Sequence, residues 1–180
     1  MKLLHYDREK EQIAVQLPPR VTTFKFQTSS YDKSIEIIEL PMPYLVFYYM
    51  AYPWGRHYIY SLFFSNEDVE SFDSLRMAPL PNVSYKEEPF LCLGNTFYEF
   101  GKFKQGLNSF FFRPFIKDYS CSSSNLIKET KLRSYSNWRK TSLQDALKVD
   151  WPKFSKDQFN SYKSMCPLGK IDDPSILERL

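Results

Sequence analysis

The sequence predicts an α+β fold, in which an antiparallel β-meander packs against helices from the C-terminal part of the chain. Residues 11–64 are short alternating or β-branched runs separated by prolines, which is the pattern of strands joined by tight turns. Those turns are too short for the crossovers that parallel strands need, so antiparallel pairing is favoured. Residues 141–165 contain two short segments that each begin at a Ser or Thr, as capped helices do.

Five strands are predicted in the first part of the chain, at residues 12–16, 21–26, 34–39, 44–50 and 57–64. Pro18 and Pro19 break the chain between the first two strands, and Pro41 and Pro43 end the third. The run at 44–50 is continuously β-branched and aromatic, so we expect it to be the central strand.

The second part of the chain changes character after residue 65. A capped turn or short helix is predicted at 66–71, a Pro-rich ordered loop packed on the sheet at 74–101, and a surface loop at 121–125. Helices are predicted at 105–116, where Pro114 ends or kinks the helix, at 141–147 and at 155–165.

The chain length of 180 residues fits one domain. We expect a flexible N-terminus at 1–10, a single α+β domain at 11–165 and a tail at 166–180. An aromatic content of 18% predicts either a core of large flat side chains or a surface used for contact.

Charge and cysteine usage argue against several classes of protein. A net charge of +3, from 24 basic and 21 acidic residues, is a small imbalance for a dedicated nucleic-acid-binding protein. The three cysteines have neither a disulfide framework nor zinc-ligand spacing, so thiols kept reduced in a cytoplasm are the simplest interpretation. The longest apolar run, 44–52, is too short to span a bilayer. We therefore expect a cytoplasmic protein with no metal, no cofactor and no membrane partner.

Cys92 is the cysteine whose surroundings suggest chemistry. Asn82 precedes it by ten residues, and the polar segment 84–89 between them is able to turn back. Such a turn brings the Asn82 amide towards the Cys92 sulfur, where an amide donor can stabilise the oxyanion that forms when a thioester is attacked. The alternative is that Asn82 only holds the loop through hydrogen bonds to the backbone, and that Cys92 is a buried small apolar residue.

The same segment resembles the active-site stretch of ubiquitin-conjugating enzymes. The closer resemblance is to the bacterial and phage ubiquitin-conjugating-like family that includes protein B of the PRTRC plasmid system. The matching parts are Ala78-Pro79, Asn82-Val83, Leu91-Cys92-Leu93-Gly94 and the Phe-rich stretch 110–115. The resemblance covers about residues 34–118, and it implies the ubiquitin-conjugating fold with 41–64 as the two central strands of the meander.

The resemblance also implies roles for individual residues and partners. Cys92 would be the thioester acceptor and Asn82 its polar partner, while Leu80, Pro81 and Gly94 would shape the loop. The implied partners are a small protein modifier and its activating enzyme.

A second function remains open at this point. Leu80 stands where ubiquitin-conjugating enzymes have His, and Glu87 and Glu88 would raise the pKa of the Cys92 thiol if they lie close to it. These departures favour the alternative that the chain is a non-catalytic interaction or structural protein of the same fold. Its partners would be other subunits of a phage particle or a plasmid-encoded assembly. In that case a virion is the alternative location.

A third, weaker function is binding of single-stranded nucleic acid through the segment 128–140. Basic and aromatic residues alternate there, and the candidate contacts are Lys131, Arg133, Trp138, Arg139 and Lys140. The favoured interpretation of this segment is a solvated connection whose Trp138 packs inward.

Overall fold

The computed structural model describes residues 1–27, 34–51, 58–81, 83, 91, 102–112, 114–116 and 121–179. The strands are β1 (Lys2–Asp7), β2 (Gln12–Leu17), β3 (Arg20–Gln27), β4 (Ile35–Met42), β5 (Tyr44–Ala51), β6 (Tyr58–Ser65), β7 (Arg76–Met77) and β8 (Phe115–Ile116). The helices are α1 (Phe103–Phe112), α2 (Cys121–Glu129), α3 (Tyr135–Trp138), α4 (Leu143–Ala146), α5 (Lys156–Met165) and α6 (Ile176–Arg179), with a 3₁₀ helix at Phe72–Ser74.

The strands form a large and a small sheet. The large sheet has the order β1-β2-β5-β6-β7, and all of its neighbours are antiparallel. The small sheet has the order β4-β3-β8, in which β3 and β4 are antiparallel and β3 and β8 are parallel. The predicted α+β class with antiparallel strands and C-terminal helices is therefore confirmed, and β5 lies at the centre of the large sheet as expected. The predicted meander is wrong, because β2 pairs with β5 rather than with β3, and β3 and β4 pair in the small sheet.

A single long hairpin connects the two sheets. One arm is β2 followed by β3, the other is β4 followed by β5, and the pairing passes from Arg20 opposite Met42 to Leu17 opposite Leu45. Pro18, Pro19 and Pro43 lie in this interval, where they lack the N–H groups that a continuous ladder requires. The hairpin therefore changes sheet at the prolines.

The prediction that Pro41 ends the third strand is wrong, because β4 continues through Pro41 to Met42. Proline is tolerated at this position because β4 is an edge strand of the small sheet. The carbonyl of Pro41 accepts a hydrogen bond of 2.9 Å from Nε1 of Trp138, so this edge is closed by a helix rather than by another strand.

The first ten residues were expected to be loosely held, but Lys2–Asp7 forms β1 and its last four residues are buried. Residues 169–172, which we call the strap, lie along the outer edge of β1. Tyr6 N donates to Lys170 O at 2.7 Å, and Asp172 N donates to Tyr6 O at 3.1 Å. Gly169, which begins the strap, has a φ of 99°, a conformation that favours glycine. Part of the predicted tail thus closes an edge of the large sheet.

An ion pair holds the strap to β1. Lys170 Nζ lies 2.9 Å from Asp7 Oδ2 and 3.2 Å from Asp172 Oδ2, and the Asp7 side chain is only 3% exposed. The hydrogen bond from Lys170 is the main cause that lowers the pKa of the Asp7 carboxyl. A carboxyl with a lowered folded pKa stabilises the fold at neutral pH, and this contribution is lost as the pH falls through the folded value. The strap is therefore held most firmly at neutral pH.

Aromatic side chains fill the core, as the composition suggests. Phe64 packs edge-on against Trp151 with ring centroids 5.0 Å apart, and Trp138 lies 4.9 Å from Trp151. Phe47 on β5 packs edge-on against Phe110 of α1, with ring centroids 5.3 Å apart. These rings join the sheets to the helices that follow them.

The helices differ from their predictions at several ends. Helix α1 stops before Pro114, and residues 115–116 form β8 rather than more helix. Residues 121–125, predicted as a surface loop, begin α2, which Ile127 anchors in the core at 2% exposure. No helix forms at 66–71, where a turn or short helix was predicted, and the 3₁₀ helix Phe72–Ser74 follows directly. Ser155 caps α5 as predicted, with a capping box to Gln158.

In the part of the chain that the structure describes, no helix is both long enough and apolar enough to cross a membrane.

Candidate functional site

The segment 78–81 is tightly fixed in the core. Leu80 is completely buried, and Pro79 and Pro81 are buried on either side of it. Leu80 N donates to Ala78 O at 2.7 Å, which forms a tight turn. The hydroxyl of Tyr135 donates to Pro79 O at 2.7 Å, so α3 is tied to this segment.

An antiparallel bridge between Val83 and Leu91 follows directly. Both residues are buried, with Val83 5% and Leu91 8% exposed. Val83 N donates to Leu80 O at 3.3 Å, and Leu91 N donates to Tyr60 O on β6 at 2.7 Å. The chain therefore has opposite directions at the two bridge residues, and Leu91 is hydrogen-bonded to the large sheet.

The predicted site residues divide between described and undescribed positions. Leu80 and Pro81 are described, and both are buried beside the bridge. Asn82, Cys92 and Gly94 lie outside the described residues, as does the segment 84–90 with its two glutamates. The roles assigned to them stay predictions.

Helix α1 packs against β6 at the residue that holds Leu91. The ring of Tyr60 lies 4.6 Å from that of Tyr49 and 6.4 Å from that of Phe103, centroid to centroid. Gly106 faces the far end of this ring, and a Cβ atom placed on Gly106 would overlap the Tyr60 side chain. The available signal for this contact was a glycine inside a predicted helix, which often marks a close approach.

A small open cavity of about 220 Å³ lies between β4 and α3. It is lined by Phe26, Glu36, Ile38, Tyr135, Ser136 and Arg139. Arg139 Nη1 lies 3.4 Å from Glu36 Oε1 at its rim, and both side chains are about half exposed. The rim charges neutralise each other, so the cavity does not favour a charged ligand.

The candidate nucleic-acid segment does not present an aromatic platform. Trp138 is completely buried against Phe64 and Trp151, as the favoured interpretation expected, so its ring is not accessible to a base. Arg139 is paired with Glu36. Lys131, Arg133 and Lys140 are exposed. Exposed lysines and arginines alone do not form the aromatic platform on which successive bases stack.

A buried polar group on β1 was missed in the sequence. His5 is 2% exposed, its ring stacks on Tyr48 at 5.8 Å, and its Nε2 lies 3.4 Å from Gln12 Oε1. Burial lowers the pKa of His5 and raises that of the Tyr48 hydroxyl. Cys166 is completely buried. The apolar residues Leu3, Leu4 and Tyr6, which surround His5, were the sequence signal that β1 is a buried strand.

These features define an α+β protein with a five-stranded antiparallel sheet, followed by a fixed turn-and-bridge segment and a series of helices. Among the described residues, no three His, Cys, Asp or Glu side chains are placed to hold a metal ion. No protein-family model matches the chain, and the searches of curated proteins and of solved structures likewise found no match.

Proposed function

We propose that this protein is a ubiquitin-conjugating-like carrier, which holds a small protein modifier as a thioester on Cys92. The observation that carries the proposal is the bridge between Val83 and Leu91. Asn82 directly precedes one bridge residue, and Cys92 directly follows the other. The paired strands β5 and β6 come before this segment and helices come after it, in agreement with the order of elements that the resemblance implies.

Chain geometry limits how far apart the two site residues can be. Consecutive Cα atoms are about 3.8 Å apart, and antiparallel partners lie about 4.5–5.5 Å apart. The Cα atoms of Asn82 and Cys92 are therefore separated by at most about 13 Å. The predicted turn at 84–89, which brings the Asn82 amide towards the Cys92 sulfur, is compatible with this limit.

The proposed reaction has two acyl-transfer steps. The Cys92 thiolate attacks the thioester carbonyl of a modifier on its activating enzyme, a new C–S bond forms, and the thiolate of the activating enzyme leaves. A substrate amine then attacks the Cys92 thioester, a C–N bond forms, the C–S bond breaks, and the amine proton passes to solvent. Asn82 stabilises the tetrahedral oxyanion by donating a hydrogen bond from its amide.

Incubation with ATP and with the modifier and activating enzyme of the same genome is expected to give an adduct that thiols release. The adduct should map to Cys92 by peptide mass spectrometry, and Cys92→Ala should abolish it. Cys121→Ser is the matched control and should leave the yield unchanged. Asn82→Ala should slow transfer to an amine by about 10²–10³-fold, the usual effect of removing one oxyanion donor. An otherwise active system that never labels Cys92 would refute the proposal.

The complete burial of Leu80 favours a second candidate function, a non-catalytic interaction or structural protein of the same fold. An apolar core side chain occupies the position where ubiquitin-conjugating enzymes carry a polar histidine. In this case the buried turn is a structural element, and Cys92→Ala leaves binding to assembly partners intact while no adduct forms on wild-type protein.

A further inference from the structure

His5 is enclosed within a row of residues that runs across the large sheet. It pairs with Ala14 on β2, and Ala14 pairs with Tyr48 on β5. Directly paired residues place their side chains on one face of a sheet, and the small side chain of Ala14 lets the His5 and Tyr48 rings stack. The imidazole is therefore only 2% exposed, although β1 is an outer strand of the sheet.

The hydrogen bonding of the His5 ring leaves Nδ1 as the nitrogen that takes up a proton. Nε2 lies 3.4 Å from Gln12 Oε1, and a carbonyl oxygen only accepts, so Nε2 carries the hydrogen of the neutral ring. Within the part of the chain that the structure describes, Nδ1 is buried and has no hydrogen-bond partner. Protonation would therefore bury a positive charge and an N–H group that has no protein acceptor, at a cost in free energy.

The strap is attached to the residues on either side of His5. Gly169 N donates to Leu4 O at 3.0 Å, and Tyr6 N donates to Lys170 O at 2.7 Å. These bonds lie at the outer edge of the large sheet, so they can open while β2 stays paired with β5. The strap is thus a unit that can separate from β1 locally.

Charged groups of β1 and the strap act on the His5 ring. Asp7 on β1 and Asp172 in the strap favour its protonation, and Lys170 opposes it. Burial has the largest influence, and it lowers the pKa of His5. Tyr48 on β5 stays neutral, because burial raises the pKa of its hydroxyl. The enclosed ring is thus held neutral at pH values at which an exposed imidazole is already charged.

We propose that His5 is a proton-sensitive latch, which keeps the strap on β1 while its ring is neutral and releases the strap when the ring is protonated. An exposed imidazole has a pKa of about 6.5, so the open form binds a proton as the pH falls below this value. The closed form does not, because its His5 pKa is lowered. Acid therefore shifts the equilibrium towards the open form. Release exposes the edge groups of Leu4 and Tyr6, and it is independent of the proposed function.

Amide hydrogen exchange of the full chain, corrected for the intrinsic rate at each pH, measures this opening. Protection of the Tyr6, Gly169 and Asp172 amides should fall by up to about tenfold between about pH 7.5 and 5.5, the limit for a group that titrates at about 6.5 only in the open form. His5→Phe and His5→Gln, which do not titrate, should make protection independent of pH in this range. His57→Gln removes the other histidine of the chain, and this matched control should keep the wild-type dependence.

Two results would overturn the latch. One is a change in protection of less than about twofold in the wild-type protein, or a change of wild-type size in both His5 variants. The other is equal protection of the strap amides and the β5 amides at the lower pH, because the strap would then open only when the whole protein unfolds. Carboxyl groups usually change charge below this pH range, and amines and phenols above it, so the dependence is assigned to the histidine.

Discussion

Replacing Trp138 with alanine is expected to lower the free energy of unfolding by about 3–5 kcal/mol, the usual cost of truncating a large buried aromatic side chain. The Trp138 ring is completely buried between Phe64 and Trp151. Its Nε1 donates to Pro41 O at the edge of β4. The substitution therefore leaves a cavity and also removes the donor that closes this edge. Urea denaturation followed by far-UV circular dichroism measures the effect.

Two companion variants separate the contributions of packing and hydrogen bonding. Trp138→Phe keeps an aromatic ring but removes the indole N–H, and leaving a buried carbonyl unpaired costs roughly 1–3 kcal/mol. Arg139→Ala, at the next position, removes only a half-exposed ion pair, so a change below about 1 kcal/mol is expected. A loss of under 1 kcal/mol in Trp138→Ala would show that α3 does not pack as described.

Adding one methyl group at Gly106 is expected to destabilise the protein by about 1–3 kcal/mol, as overpacking does in a filled core. A helical Gly→Ala change normally stabilises by about 1 kcal/mol, so the expected sign is reversed. The reason is that the new Cβ would overlap the end of the Tyr60 ring, which is confined by Tyr49 and Phe103. Thermal and urea unfolding of Gly106→Ala measure the effect.

A double-mutant cycle attributes this cost to its cause. In a Tyr60→Leu background the obstructing ring is gone, so Gly106→Ala should become neutral or stabilising. Asn108→Ala, at an exposed position of the same helix, should stabilise slightly in both backgrounds. If Gly106→Ala costs the same with and without the Tyr60 ring, the close approach of α1 to β6 is wrong.

The strands were predictable because their signals are local. The alternation at 12–16 and 21–26 and the β-branched run at 44–50 appear as β2, β3 and β5. The pairing of β2 and β3 with β4 and β5 in one bent hairpin was not predicted. The hairpin bends where the prolines of its two arms lie opposite each other. This alignment follows from the pairing register of the strands, which the sequence alone does not show.

The errors lie where distant parts of the chain meet. Nothing within residues 1–10 indicates that Lys170 will cover the Asp7 carboxylate, so β1 was taken for a loose terminus. Nothing in the Pro-rich segment indicates that a hydroxyl from residue 135 will bind the Pro79 carbonyl. Long-range contacts of this kind override weak local propensity. The candidate site could be chosen from the sequence because Asn82 and Cys92 are close along the chain. The contact from Tyr135 to the neighbouring Pro79 could not be predicted, because the two residues are far apart in the sequence.

The proposed function requires Asn82 to lie beside Cys92, and a disulfide forms only when two Cα atoms lie within about 7 Å. An Asn82→Cys, Cys121→Ser variant under mild oxidation should form an 82–92 disulfide, identified by peptide mass spectrometry. Cys166 stays in place because it is completely buried. Ser84→Cys in the same background is the control, and it should cross-link to Cys92 more slowly. Equal rates in the two variants, or no 82–92 product, would contradict the account.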